Sequence, residues 1–238
     1  MWSGPRNLST AMMYSFAARG DARVVDEPFY GAYLAATGID HPMRDDVMHS
    51  MTCDPDSVAR SLIFPVSEPI FYQKHMTHHM LCNWDERWMR QVENVFLIRH
   101  PARVVASYAR KREAPLMDDL GFEQQARLFD RATDPIVIDA TDIRADPPGM
   151  LQALCARLCI PWTDRMLRWP SGGHPADGVW AAHWYGAVHR STGFDRAEGP
   201  LPDLTANHAR LAQAALPIYD RLAAHKITSA DDPVPPAT

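Results

Sequence analysis

The chain opens on a short polar turn that leads directly into a predicted helix. The turn consists of Gly4, Pro5, Arg6, Asn7, Leu8, Ser9 and Thr10. Apolar residues at helical spacing then continue over residues 8–19. The start of a helix offers unpaired N–H groups and the positive end of the helix dipole. Arg6 adds a fixed positive charge, and Ser9 and Thr10 add hydroxyl donors, so this segment predicts a site for a phosphate or sulfate group.

The turn differs from the P-loop of nucleoside triphosphatases. That motif has a second glycine, a lysine for the outer phosphates and a hydroxyl for magnesium. Here the loop is shorter, lacks the second glycine and carries Arg6 in place of a lysine. Arginine forms a fixed fork onto oxyanions, whereas lysine acts as a mobile point charge. The alternative interpretation of the same residues is a proline turn followed by a helix that is capped by Asn7.

Composition and charge indicate a globular protein of one domain. The 238 residues are 46% hydrophobic and 22% charged, and the net charge is −5 with both signs spread along the chain. This balance argues against a broad nucleic-acid-binding or membrane-binding surface. No signal peptide opens the sequence, and no apolar run approaches the roughly 18 residues of a membrane span. We therefore expect a cytoplasmic protein without a membrane span, whose oligomeric state the sequence leaves open.

The cysteines and histidines do not form a recognisable metal site. The four cysteines contain no C-x-x-C pair. His75, His78 and His79 form a cluster, but no nearby cysteine or glutamate completes a ligand set at a known spacing. We therefore expect no metal.

Short apolar segments alternate with helical segments along the chain. Strands are predicted over residues 22–26, 70–74, 94–99 and 135–140, and Met1 and Trp2 form only the end of a first strand. Such alternation predicts an α/β fold with three layers, in which a parallel sheet carries helices on both faces. We expect a single domain over residues 1–226 and a disordered tail over 227–238. Ligands in such folds bind at the carboxyl ends of the strands.

A second anion site is predicted after the most apolar strand. Arg99 ends that strand, Pro101 suits the first position of a helix, and Ser107 lies two turns into it. Arg99 and the first loop would share one sheet edge, and a nucleotide with phosphate at both ends needs two such pockets. The other basic residues of this segment are interpreted as a solvated helix face: Arg103, Arg110, Lys111 and Arg112.

Together these segments resemble the sulfotransferase family, whose donor is 3′-phosphoadenosine 5′-phosphosulfate (PAPS). The run P-R-N-L-S-T at residues 5–10 resembles the family's 5′-phosphosulfate loop. The run R-H-P-A-R-V-V-A-S-Y at residues 99–108 resembles its 3′-phosphate motif. The segments V-V-D-E-P-F-Y, Y-Q-K-H-M and S-T-G-F are similar to those of bacterial sulfotransferase-like proteins. The resemblance extends to about residue 194 and implies a P-loop-like sulfotransferase fold.

The resemblance implies a role for each matching residue. Arg6 and the backbone N–H groups of residues 7–10 would hold the 5′-phosphosulfate, with Ser9 and Thr10 on the 5′-phosphate. Arg99 and Ser107 would hold the 3′-phosphate, and a late loop that begins at Arg190 would close over the adenosine. The implied reaction moves a sulfuryl group in line to a hydroxyl or amine of a small-molecule acceptor, with Arg6 neutralising the leaving phosphate.

Two residues compete for the role of general base. Glu27 matches the position that some family members use. His75 follows Lys74 in a segment that resembles the Lys-x-His segment of other members. The lysine and histidine are adjacent here rather than one residue apart, so Glu27 has the better positional match and His75 is the alternative.

The short first strand keeps two other functions open. Members of the family that the chain resembles have several apolar residues before this turn, so either Met1 is not the true start or the chain lacks a central strand. Losing that strand would remove the anchor of the first loop and expose an edge. A non-catalytic nucleotide-binding protein, truncated at its first strand, would fit that expectation. A P-loop kinase or NTPase is the other alternative, because Asp26 and Glu27 end an apolar strand where an acidic pair would hold magnesium.

Overall fold

The chain forms an α/β fold around a parallel sheet, in a computed structural model that describes residues 1–110 and 115–229. The strands are β1 Trp2–Ser3, β2 Ala22–Asp26, β3 Ile70–Met76, β4 Val95–Ile98 and β5 Ile136–Asp139. The α-helices are α1 Ser9–Ala18, α2 Tyr30–Thr37, α3 Arg44–Ser50, α4 Pro55–Leu62, α5 Pro101–Ala109, α6 Met117–Leu120, α7 Phe122–Arg131, α8 Ala140–Ala145, α9 Pro147–Arg157, α10 Ala181–Trp184 and α11 Ala206–Ala223. Short 3₁₀-helices cover Thr77–His79, Arg87–Gln91, Asp164–Leu167 and Val188–Arg190.

The strands lie in the order β2-β3-β1-β4-β5, and every pair is parallel. The chain leaves β1 towards β2 on one side and later passes to β4 on the other side of β1. The direction of winding therefore reverses at β1, which places the loop after β1 at the crevice where α/β sheets bind ligands. The predicted α/β architecture is confirmed.

The sheet is buried on both faces. Along β4, Val95 and Leu97 pack into one core with α1 and α9, whereas Phe96 and Ile98 pack into a second core with α4, α7 and α11. Successive side chains of a strand point to opposite faces, so an uninterrupted apolar run suits a strand covered on both sides.

The central strand is present, so the first loop keeps its anchor and the alternative in which that strand is missing was wrong. Although β1 has only two residues, Trp2 pairs with His75 of β3 and with Phe96 of β4. The Trp2 side chain is buried, and its Nε1 donates to Asn94 Oδ1 at 2.9 Å. A central strand gains backbone bonds from both neighbours, so two residues suffice, and β2 and β5 form the sheet edges instead.

The alternative interpretation, in which Asn7 caps the first helix, was also wrong. Leu8 is the N-cap residue of α1, with a left-handed backbone (φ 75°) and no capping bond from its side chain. The Asn7 amide instead turns inward and donates to Leu97 O at 3.3 Å. The loop is thereby tied to β4, and the first N–H groups of α1 are left for another partner.

The predicted tail lies largely outside the described residues, which end at residue 229. At its start, Ile227 N donates to Val137 O at 2.9 Å beside β5. Among the helices of the described ranges, none has the length and apolarity needed to cross a membrane.

Candidate active site

A cavity of about 370 Å³ opens at the carboxyl ends of the strands. It is lined by most of the residues that the sequence predicts for the site: Arg6, Asn7, Leu8, Ser9, Thr10, Glu27, Arg99 and Ser107. The backbone is left-handed at Arg6 (φ 64°), Leu8 (φ 75°) and Glu27 (φ 43°). Such conformations cost about 1–3 kcal/mol each in a residue other than glycine and cluster at functional sites.

The two predicted anion pockets are joined by direct contacts. Arg6 Nε donates to Ser107 Oγ at 2.9 Å, and Arg99 Nη1 donates to Arg6 O at 2.6 Å. Burial lowers the pKa of Arg6, and the nearby positive charges of Arg99 and Arg110 lower it further. This end of the cavity therefore concentrates positive charge, as an anion site requires.

A buried acidic cluster lies beside this region. Lys74 Nζ is 2.8 Å from Asp26 Oδ1, 2.5 Å from Glu27 Oε1 and 2.7 Å from Tyr185 Oη. Tyr185 Oη donates to Asp26 Oδ2 at 2.8 Å and accepts from Trp180 Nε1 at 3.1 Å. The lysine thus orients both carboxylates, and Tyr185, directly after α10, closes the cluster.

Burial and the neighbouring charges shift the pKa values of Glu27 and Lys74. Burial raises the pKa of Glu27, and the Asp26 carboxylate raises it further against the opposing effect of Lys74. Burial disfavours the charge on Lys74, but the attraction of Asp26 and Glu27 outweighs it, so the pKa of Lys74 is raised. The cluster carries one excess negative charge when both carboxylates are ionised, and none once Glu27 takes up a proton.

His75 lies away from this cavity. Lys74 and Met76 line it, whereas His75 points to the opposite face of β3 and stacks on Trp2 with ring centroids 4.3 Å apart. The side chain is buried, and its Nε2 lies 3.2 Å from Gln73 Oε1. Burial, with the positive chain terminus and Lys74, lowers the pKa of His75 well below its ordinary value. Successive side chains of a strand point to opposite faces, so His75 points away from the cavity that Lys74 and Met76 line.

Arg190 is also placed outside the cavity lining, although its loop reaches it. Ser191 and Gly193 line the cavity, whereas Arg190 borders a neighbouring depression. Trp169 Nε1 donates to Ser191 Oγ at 3.2 Å, and Trp169 N donates to Thr192 O at 3.2 Å. These bonds fix the path of the late loop beside the first loop.

The end of the cavity beside Glu27 is rich in aromatic side chains and imidazoles. Tyr30 stacks on His79 with centroids 4.4 Å apart, and His41 stacks on Trp184 at 5.7 Å. His79 Nδ1 lies 3.9 Å from Glu27 Oε2. Burial lowers the pKa of His78 to about 3 and that of His79 well below its ordinary value, so both imidazoles are neutral. Among the described residues, no group of three or more potential metal ligands is found.

The sequence analysis did not identify Arg144 or Glu198 as site residues, and it placed Arg103 on the wrong kind of surface. Arg144, which follows β5 and lines the cavity, bonds to Glu198, as does Arg103. Arg103 was expected on a solvated face, but its side chain is only 14% exposed because Glu198 covers it. Arg110 also lines the cavity, and Lys111 and Arg112 lie outside the described residues. The position of Arg144 just after a strand was a usable signal, whereas nothing local marks Glu198.

The parallel sheet, its helices on both faces and the loop-to-helix crevice define a P-loop-like α/β protein. A family model described as a sulfotransferase domain matches residues 1–226. The chain belongs to the sulfotransferase family.

Two curated relatives come from Arabidopsis thaliana. The chain is 37% identical to branched-chain-amino-acid aminotransferase-like protein 1 over an alignment of 243 positions, which covers 99% of this chain and 44% of that protein. It is 35% identical to branched-chain-amino-acid aminotransferase-like protein 2 over 229 aligned residues, which cover 94% of this chain and 41% of that protein. The chain therefore spans less than half the length of these relatives.

A solved structure shares the fold at low sequence identity. The sulfotransferase domain from the curacin biosynthetic pathway superposes with a TM-score of 0.54 at 14% identity, covering 90% of this chain and 95% of that one. This similarity supports the fold assignment.

Proposed function

We propose that the chain transfers the sulfuryl group of PAPS to a hydroxyl or amine of a small-molecule acceptor. The observation that carries this proposal is the joined arginine region, in which Arg6 contacts Ser107 and Arg99 contacts the Arg6 carbonyl. A donor with phosphate at both ends of its ribose would engage both motifs at once. The crevice at β1 supports such a placement.

Arg6 and the first turn of α1 would hold the 5′-phosphosulfate. The N–H groups of that turn are left without a side-chain cap, and Arg6 faces the same cavity. As the bond between sulfur and the 5′-phosphate oxygen breaks, negative charge grows on the leaving phosphate. Fixed donors and a fixed positive charge stabilise that change without reorganisation.

Glu27 would act as the general base. It lines the cavity and has a raised pKa, whereas His75 lies on the opposite face of β3. Glu27 would take the proton of the acceptor hydroxyl while the acceptor oxygen bonds to sulfur. Because Asp26 still balances Lys74 after this step, protonated Glu27 leaves the buried cluster neutral.

Other activities are less well supported. A magnesium-dependent kinase would need Asp26 and Glu27 for the metal, but both carboxylates bond to Lys74. Lys74 is held by the same pair, which leaves it poorly placed for the cofactor chemistry of an aminotransferase. The Arabidopsis relatives carry an aminotransferase-like name, yet the chain aligns with less than half of their length.

The test is a calorimetric titration with adenosine 3′,5′-bisphosphate, run beside 5′-AMP and Mg-ATP. We expect tight binding that requires the 3′-phosphate. Preference for Mg-ATP would favour a kinase, and no binding to any of the three would contradict nucleotide binding at this site. A positive result would be followed by a screen of acceptors with PAPS.

A further inference from the structure

Glu198 is a buried carboxylate that is surrounded by arginines. Arg99 Nη2 bonds to Glu198 Oε1, Arg144 Nη1 lies 3.0 Å from the same oxygen, and Arg103 Nε lies 3.1 Å from Oε2. Thr141 Oγ1 donates to Oε2 at 3.0 Å. The Glu198 side chain is only 3% exposed, so its ion pairs with the arginines are buried rather than on the surface.

The backbone around Glu198 is bound by the same arginines. Arg103 Nη2 donates to Gly199 O at 2.5 Å, and Arg144 Nε donates to Arg196 O at 3.0 Å. Residues 191–200, here called the strap, therefore have one end fastened to the arginine cluster. At the other end, Ser191 and Gly193 line the cavity.

The charges in the cluster do not balance. Three guanidinium groups face the buried Glu198 carboxylate and, at Arg144, the exposed Asp195 carboxylate, which leaves one positive charge in excess. Burial opposes the ionisation of Glu198, but the bonds from Arg99 and Thr141 and the charge of Arg103 outweigh it and lower the pKa of Glu198. A phosphate dianion has twice the charge of a carboxylate and one more oxygen, so it matches the three arginines better.

The Glu198 carboxylate and an incoming phosphate would compete for the guanidinium group of Arg99. Its Nη1 is committed to the Arg6 carbonyl, its Nη2 to Glu198, and its buried Nε has no partner. An incoming phosphate that takes a bidentate bond from Arg99 therefore meets the Glu198 carboxylate at the same guanidinium. Two anions in one buried position repel each other, and the protein-borne carboxylate can leave with its strap.

We propose that Glu198 is an internal anion in the 3′-phosphate subsite, where Arg103 and Arg144 add to Arg99 and Ser107, and that the 3′-phosphate of the donor displaces Glu198 and frees the strap. This inference rests on the proposed function, because it requires a nucleotide with a 3′-phosphate. Glu198 then lowers the affinity for such nucleotides in particular and couples their binding to movement of the strap beside the cavity.

The first experiment compares wild type with E198Q by calorimetry, using adenosine 3′,5′-bisphosphate and 5′-AMP. Glutamine keeps the shape of the side chain but removes its charge. We therefore expect the bisphosphate to bind roughly tenfold more tightly, which corresponds to ~1.4 kcal/mol of binding free energy. The affinity for 5′-AMP stays unchanged. D130N is the matched control, because Asp130 pairs with Arg221 at 3.2 Å away from the cavity and its side chain is 55% exposed. We expect no change in D130N.

A second measurement needs no variant. Trypsin cleaves after Arg196, inside the strap, and after the exposed Arg87 elsewhere in the chain. The bisphosphate is expected to speed cleavage after Arg196 in wild type, with cleavage after Arg87 unchanged and 5′-AMP without effect. Slower or unchanged cleavage after Arg196 would overturn the proposal.

The outcomes separate this inference from the proposed function. If wild type prefers the bisphosphate but E198Q binds it equally or more weakly, Glu198 does not oppose the 3′-phosphate, and the displacement proposal fails while the proposed function stands. If neither protein distinguishes the bisphosphate from 5′-AMP, the assignment of the 3′-phosphate subsite fails and the inference fails with it.

Discussion

Lys74 and Asp26 face each other in the register of β3 and β2, and Lys74 Nζ lies 2.8 Å from Asp26 Oδ1. Both side chains are fully buried, and Glu27 shares the same lysine. This contact holds the acidic cluster at the end of the sheet and sets the charge balance that the proposed chemistry uses.

We expect Lys74→Met to destabilise the protein strongly. The change leaves two buried carboxylates without a counter-charge, and breaking a buried pair costs about 3–5 kcal/mol. Urea unfolding at pH 7.5 measures this loss. Lys226→Met is the matched control, because its ion pair with Asp142 is about one third exposed and such pairs contribute ~1 kcal/mol or less. Equal losses in the two variants would contradict the structural role given to Lys74.

Glu27→Gln is expected to reduce transfer while leaving nucleotide binding intact. The loss of a general base lowers the rate by about 10²–10⁴-fold. The measurement is turnover of PAPS with an acceptor found by screening, beside titration with adenosine 3′,5′-bisphosphate. His75→Gln is expected to lower stability but to keep turnover near that of wild type, since His75 lies on the far face of β3. A folded His75→Gln enzyme without activity would indicate that His75, and not Glu27, is the general base.

The pH dependence of turnover follows from the raised pKa of Glu27. The base works when ionised, so the rate falls as pH drops through that pKa, at higher pH than for an ordinary glutamate near 4.3. The bond from Tyr185 lowers the pKa of Glu27, so Tyr185→Phe moves the acid limb of the kcat profile to still higher pH. Tyr14→Phe, which removes a bond to Asp177 instead, is expected to leave the limb in place.

Acid is expected to destabilise the fold through three buried histidines. Burial lowers the pKa of His75, His78 and His79, so their neutral forms contribute stability above the unfolded value near 6.5. That contribution is lost as pH falls below 6.5, with each group adding up to ~1.4 kcal/mol per pH unit. Glu27 acts in the opposite sense, because a raised carboxyl pKa favours the folded state on protonation.

Chemical denaturation at pH 7.5, 6 and 5 tests this dependence, with His78→Asn as the comparison. His78→Asn removes one of the three histidines, so the free energy of unfolding of this variant is expected to fall less steeply with decreasing pH than that of wild type. Glu27 is present in both proteins and does not affect the comparison. Parallel curves for the two proteins would show that His78 does not bind a proton on unfolding in this range.

Arg6 and Ser107 are expected to act as a coupled pair in nucleotide binding. Because Arg6 Nε donates to Ser107 Oγ, each single alanine variant also disturbs the partner. In a double-mutant cycle read out by affinity for adenosine 3′,5′-bisphosphate, we expect an interaction energy of about 0.5–3 kcal/mol. Tyr14→Phe combined with Ser107→Ala gives the control cycle, and additivity in both cycles would mean that the two motifs bind independently.

Local patterns predicted much of the architecture. Residues 22–26 were predicted as a strand and form β2, and Pro101 begins α5 as its position indicated. These segments are continuous apolar runs or carry helix-start residues, so neighbouring residues carry the signal. Residues 5–10 and Arg99 were predicted as site residues and line one cavity, because the ends of parallel strands meet at one edge.

Only the tertiary structure decided whether the two-residue strand β1 is stable and which charged side chains contact each other in the site. Trp2 gains its stability from β3 and β4, which lie about 70 and 90 residues further along the chain. Likewise, Glu198 approaches Arg99 across 99 positions of sequence, and no spacing rule connects them. The sequence by itself determined the strands, the helix starts and the two anion motifs, since these depend on residues within a few positions. Only folding decided which charges meet, because burial and pairing are properties of the packed chain.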